Sequence, residues 1–295
     1  MGIRLVVRNF RAVRNVDIEL GKVLLYGPNG GGKTSTVHAL MMMTNPPASL
    51  DKVVRVGLRD DTEIVLEFND VKLVYAKNDY CFCHGECRGC EERGARAIPA
   101  FWERVGVKDV GYLGDVFIVY SALTGNEKVL VIGDARARLF VGDLSEFGYW
   151  SDLFALPLVF GERFEVLSDI RDVTGIDYIY RGLAYRNEVW YMLNAEAAGY
   201  KRAILALILA RHSDMAIIEG FENYLHIDLA VNLINKLDET TKYTVIETHL
   251  GTLLRWAIVR GWNVYYIDKG TSKKLQPEDL GKLELYRREL QVYGV

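Results

Sequence analysis

Nine consecutive residues, Gly27-Pro28-Asn29-Gly30-Gly31-Gly32-Lys33-Thr34-Ser35, carry the G-x-x-x-x-G-K-[ST] spacing of a phosphate loop. Each part has a chemical use. Glycines let successive backbone N–H groups turn inward around phosphate oxygens, and the helix that follows points its positive end at them. The Lys33 ammonium neutralises β/γ oxygens, and the Thr34 hydroxyl can ligate Mg²⁺. Asn29, Gly30, Gly31, Gly32, Lys33, Thr34 and Ser35 are therefore the candidate nucleotide contacts. A second candidate group is the carboxylate ending Met215-Ala216-Ile217-Ile218-Glu219, followed by Gly220-Phe221-Glu222-Asn223-Tyr224-Leu225-His226. Glu219 can hold Mg²⁺ directly or through water, and Glu222 or another group can position the attacking water. A third is Glu247-Thr248-His249, where an imidazole follows another apolar run.

These groups need elements to hold them. Val23-Leu24-Leu25-Tyr26 reads as a strand entering the loop, and Thr36 to Met43 as a helix leaving it. Met215 to Ile218 and Tyr243 to Ile246 read as buried parallel strands, joined by an amphipathic helix from Leu229 to Leu237, and Val264 to Ile267 as a last strand. Strands alternating with helices predict a parallel sheet with crossover helices, its chemistry at the carboxyl ends of the strands. Glu63 to Phe68 and Val71 to Tyr75 alternate as an antiparallel pair does. Asn235-Lys236-Leu237-Asp238 spells the guanine-reading N-K-x-D, but it continues the helical spacing of Leu229, Leu233 and Ile234, so it reads as the solvent side of a helix.

Taken in order, these motifs resemble the ABC-type ATPase heads of the SMC/RecF class and the related ABC-like AAA ATPases of the OLD type. The opening Ile3 to Leu40, with Asn9-Phe10-Arg11 and the Asn29 form of the loop, is similar to the start of those heads. Against the family's D-E-P-E-x-x-L-H, Glu219 takes the Asp place, Gly220 the catalytic Glu place and Phe221 the Pro place, while Glu222, Leu225 and His226 match. The resemblance implies a switch role for His249, a nucleotide contact for Arg11, and a signature segment at Ala197-Ala198-Gly199-Tyr200-Lys201-Arg202. There Gly199 would face the γ-phosphate held by a partner subunit, although Ala198 removes the hydroxyl donor. The family's lid glutamine is absent between the first two motifs, and Ser121 is a substitute candidate. The fold implied is a P-loop α/β sheet with an antiparallel side sheet. It would form a single ABC-like ATPase domain over residues 1–295, with a Cys-rich insertion at 76–100 and a lid or arm at 101–194.

All four cysteines lie in one window, Cys81-Phe82-Cys83-His84-Gly85-Glu86-Cys87-Arg88-Gly89-Cys90. Four thiolates can complete a tetrahedral zinc site, with Gly85 and Gly89 supplying turns and His84 a spare ligand. Zinc on Cys81, Cys83, Cys87 and Cys90 is the leading expectation; one or two disulfides, an iron–sulfur ligand set and free thiols are the alternatives. The window is expected at a hairpin tip or short lobe beyond the side sheet.

The 295 residues suffice for a large core, and a net charge of −3 advertises no global nucleic-acid field. No apolar run reaches the length of a membrane span and the chain opens on a strand pattern, so a cytoplasmic protein is expected. Glutamine occurs only at Gln276 and Gln291, a bias that suits a thermophile. The expected function is that of a Mg²⁺-dependent ATPase that dimerises around ATP, working in DNA or RNA maintenance or defence with a nucleic-acid or nuclease partner. With Gly220 unable to polarise water, the alternative is a nucleotide-gated regulatory or binding subunit with negligible hydrolysis.

Overall fold

The computed structural model describes residues 2–44, 48–114, 117–123, 129–133, 138–141, 164–180 and 183–292. They divide into two compact units, one formed by residues 1–108, 123–126 and 243–295, the other by 109–122 and 127–242.

In the first unit the phosphate-loop strand Lys22–Tyr26 lies between two parallel neighbours, Tyr243–Thr248 and Asn263–Asp268. A strand hydrogen-bonded on both edges and covered on both faces must be apolar throughout, and Val23, Leu24, Leu25 and Tyr26 are all fully buried. The strands Thr271–Lys274, Val13–Leu20, Ile3–Phe10, Glu63–Phe68, Val71–Ala76, Asp79–His84 and Glu92–Arg93 continue the order, mostly antiparallel. Here one face is solvated. Charged residues stand across from one another on it: Arg4 pairs with Asp17 at 2.5 Å and Glu67 at 3.1 Å, and Arg8 with Glu63. This is the side sheet that the alternating patterns predict.

The helix Lys33–Met42 begins three residues before the apolar run suggests, because Gly32 at φ 114° closes the loop and hands Lys33 and Thr34 to the first turn. It is buried almost all round and so shows no apolar stripe. Its last carbonyls find side-chain donors, Tyr80 Oη to Met42 O at 2.8 Å and Trp102 Nε1 to Met43 O at 2.6 Å, the latter from helix Ala97–Val105.

In place of the expected zinc site, the structure pairs the cysteines as two disulfides, Cys81–Cys90 and Cys83–Cys87, with Cα–Cα separations of 5.3 and 5.2 Å. Sulfurs bonded to each other present no thiolate for a metal, and no cluster of three or more metal-ligating side chains occurs among the described residues. Cys81 and Cys83 sit in the strand Asp79–His84, and Cys87 and Cys90 in its connection to Glu92–Arg93, which makes the window a hairpin end of the side sheet. His84 lies 3.3 Å from both Asp70 and Glu91. We expect a thiol count on unfolded, non-reduced protein to find no free thiols and to find four after reduction, with no stoichiometric zinc in metal analysis. Four titrating thiols without reduction would contradict this pairing.

In the second unit, Met215–Ile218 pairs in parallel with Asp109–Leu113, and the latter continues antiparallel through Phe117–Ala122, Val129–Gly133 and Arg138–Val141. Helices Phe164–Thr174, Ala198–His212 and Ile227–Thr240 pack against one another. The N-K-x-D stretch lies on the last of these. Lys236 donates to Asp172 at 3.0 Å and stands 3.5 Å from Asp169, an interhelical role that sets guanine reading aside. A separate antiparallel sheet, Tyr178–Tyr180, Leu183–Arg186 and Val189–Met192, exposes Tyr178, Trp190 and Met192. The side chain of Ser121, and much of the expected 101–194 arm, lie outside the described residues. No helix among the described residues is long and apolar enough to cross a membrane.

Candidate functional site

The phosphate loop is held from beneath by the strand Asn263–Asp268. A Cβ on Gly27 would stand 2.1 Å from the Ile267 carbonyl oxygen, and one on Gly31 2.5 Å from the same atom, so only glycine allows the backbone this close. Gly31 N–H bonds Pro28 O at 3.1 Å and Gly270 N–H bonds Gly31 O at 2.9 Å. On the other side Gly30, at φ 72°, faces open space. The loop is thus pinned against Ile267 at Gly27 and Gly31 and stands clear of other atoms at Gly30.

Lys33 is 3% exposed, and its Nζ donates to Gly27 O at 2.9 Å and Pro28 O at 3.0 Å, with His249 Nδ1 at 3.5 Å. Thr34 Oγ1 donates to Glu247 Oε1 at 2.7 Å. The strand Tyr243–Thr248 delivers both partners, since its parallel register sets Glu247 opposite Leu25 and Thr248 opposite Tyr26. Thr36 Oγ1 closes on Gly32 O at 2.9 Å, and Ser35 is buried with it. Lys33, Thr34 and His249 therefore lie together at the phosphate loop. Glu247, to which no motif gives a role, joins them through Thr34. The available signal was a charge ending an otherwise buried strand.

Arg11, at φ 51°, sends its guanidinium to Val56 O at 2.6 Å, to Val53 O and to His38, while lying 5.3 Å from the Phe10 ring centroid. These bonds tie the first hairpin to the segment after the phosphate-loop helix. Asn29 is exposed at the loop tip.

In the second unit Glu219 follows directly on its strand, its N–H bonded to Leu113 O at 2.9 Å and its carboxylate accepting from the Tyr112 hydroxyl. Arg202 is 4% exposed and donates to the carbonyls of Glu219 and Gly220, the latter at 2.9 Å. Arg202 is therefore a clamp on the Glu219 turn. Gly220 takes φ 55°, Asn223 N–H bonds Gly220 O at 2.9 Å, and Leu225 N–H bonds Glu222 O at 2.9 Å, so Glu222 sits half-buried in a tight turn. Gly199 lies in the first turn of Ala198–His212, where a Cβ would meet Tyr224 O at 2.4 Å. Close packing against that turn thus requires glycine there. Just ahead of the helix Glu196 accepts from Ala197 N–H at 3.0 Å and is held by Arg186 and Tyr191, whose phenol is pushed up to about 12 by burial and by the adjoining carboxylate.

The sequence matches no family model and no curated protein. Solved structures do resemble the fold. A bacterial ABC exporter of the Atm1 family with ATP bound aligns over 100% of this chain and 43% of its own, at TM-score 0.52 and 12% identity. A dimeric ATP-binding cassette in a post-hydrolysis state, bound to ADP and phosphate, aligns over 93% and 99% at TM-score 0.47 and 15% identity. The SMC head domain from Thermotoga maritima aligns over 93% and 98% at TM-score 0.44 and 12% identity. The likeness is one of fold, an α/β fold with a large mixed sheet resembling the aligned part of the ABC exporter.

Proposed function

We propose that this chain is a Mg²⁺-dependent ABC-like ATPase whose two units act as one ATPase domain and whose copies dimerise around ATP. The observation that carries the proposal is the cluster at the phosphate loop: a buried Lys33 held by loop carbonyls beside His249, with the Thr34 hydroxyl fixed by Glu247. The exporter it resembles holds ATP, which supports the same ligand here. The residues fit the metal, since the Thr34 hydroxyl is a hard oxygen of the kind Mg²⁺ takes and the Glu247 carboxylate holds its proton. Mg²⁺, when bound, spreads the charge that develops on the phosphates.

In this reading Lys33 leaves the Gly27 and Pro28 carbonyls for β/γ oxygens, and the loop's N–H groups with Asn29, Gly30, Gly31, Gly32 and Ser35 cradle the chain of phosphates. His249 senses the γ-phosphate. Glu219 supports the metal, and Glu222 orients the attacking water in place of the side chain missing at Gly220. Arg11 and Gly199 contribute at the nucleotide edge and at the partner subunit's phosphate, respectively. Nucleotide closure would then be passed to a partner, a nucleic acid or nuclease in DNA or RNA maintenance or defence, acting in the cytoplasm. The bare Gly220 also favours a second reading, a nucleotide-gated regulatory subunit with negligible turnover.

Phosphate release measured with and without DNA or RNA separates the two. Mg²⁺-dependent turnover stimulated by nucleic acid is the expected result. Nucleotide binding without turnover under any condition would leave the gated subunit, and neither binding nor turnover would contradict both.

A further inference from the structure

We propose that Glu247 is a positioning residue for the metal end of the nucleotide site, fixing the Thr34 hydroxyl so that its oxygen lone pairs face Mg²⁺. The inference rests on the Mg²⁺–ATP reading above and deepens it.

A threonine hydroxyl has one proton to give and two lone pairs. Thr34 gives its proton to Glu247 Oε1 at 2.7 Å, so the lone pairs are turned elsewhere, the orientation a hydroxyl needs in order to ligate a cation. The acceptor is rigid. Glu247 is 4% exposed and lies in a strand buried along its whole length, paired in register with the strand that enters the phosphate loop. Thr34 is equally constrained, in the first helical turn after Gly32.

The choice of residue type is informative. A carboxylate in a buried strand is costly unless positive charge or donors surround it, and a neutral acceptor would hold a hydroxyl equally well if packing were the only need. Beside a hydroxyl that ligates a phosphate-bound cation, full negative charge has a use. The family-like strand-end carboxylate, Glu219, is meanwhile engaged by Tyr112 and is followed by Gly220. Among the described contacts, the acid bonded to the phosphate-loop threonine is Glu247.

The test uses Mn²⁺ as the probe, its free concentration read by electron paramagnetic resonance during titration of the full-length protein saturated with ADP. Glu247→Gln is expected to weaken Mn²⁺ binding about 10- to 100-fold, the usual effect of losing an outer-shell partner, while metal-free ADP affinity stays near wild type. Thr34→Val should weaken Mn²⁺ binding too. The double variant should add little to the larger single effect, because both act through one hydroxyl. Wild-type Mn²⁺ affinity in a cooperatively melting Glu247→Gln protein, or simple additivity with Thr34→Val, would overturn the role and leave the nucleotide reading intact. Should Glu247→Gln lose its cooperative melt, Glu247→Asp, one methylene shorter, carries the same test. Failure of the wild-type protein to bind ADP at all would instead remove the nucleotide reading and this role with it.

Discussion

Lys33→Ala is expected to lose nucleotide affinity by about 2–5 kcal/mol, roughly 30- to 4,000-fold, while the protein keeps a cooperative melt. The ammonium is buried at the loop, held by the Gly27 and Pro28 carbonyls beside His249, a short move from where phosphate would lie in the proposed reading. Truncation removes the charge that phosphate would meet, and a hydrogen bond between ionised partners is about twice as strong as a neutral one. The carbonyls left behind belong to a loop whose other face is open at Gly30, so water can satisfy them. The measurement is competition of ATP against a fluorescent nucleotide, with a thermal melt alongside. An unchanged dissociation constant in folded Lys33→Ala protein would show that phosphate binds elsewhere.

Glu222→Gln is expected to reduce steady-state phosphate release at least about a hundredfold, the scale of a lost base, and to prolong an ATP-bound dimer. Two features single out Glu222: it follows the Glu219 strand within the same tight turn, and Gly220 beside it has no side chain to offer. Arg202 reinforces the placement by gripping the carbonyls of Glu219 and Gly220. Unchanged turnover in Glu222→Gln together with its abolition in Glu219→Gln would make Glu222 a turn residue and put the water elsewhere.

Local spacing made part of this molecule readable. The phosphate loop, its strand and its helix lie within one short stretch, where glycine geometry and burial leave little freedom, and the alternation of Glu63–Phe68 with Val71–Ala76 named the side sheet. What depends on pairing between distant strands was not readable. Glu247 meets Thr34 because Tyr243–Thr248 runs parallel to Lys22–Tyr26, a register that no local pattern encodes. Arg202 stands in the sequence only as the last residue of Ala197-Ala198-Gly199-Tyr200-Lys201-Arg202, whereas its partners are backbone carbonyls, which leave no mark in side-chain identity. Composition located the cysteine cluster correctly but not its chemistry. Two cysteines in a strand and two in the connection after it can close as pairs, whereas a tetrahedral site needs all four around one point.

The measurement that bears most directly on the whole account is calorimetric titration of ATP into the wild-type chain in the presence of Mg²⁺. The account predicts saturable binding of one nucleotide per chain, weakened when Mg²⁺ is withheld. A flat titration with folded protein, at concentrations well above the micromolar range, would contradict it.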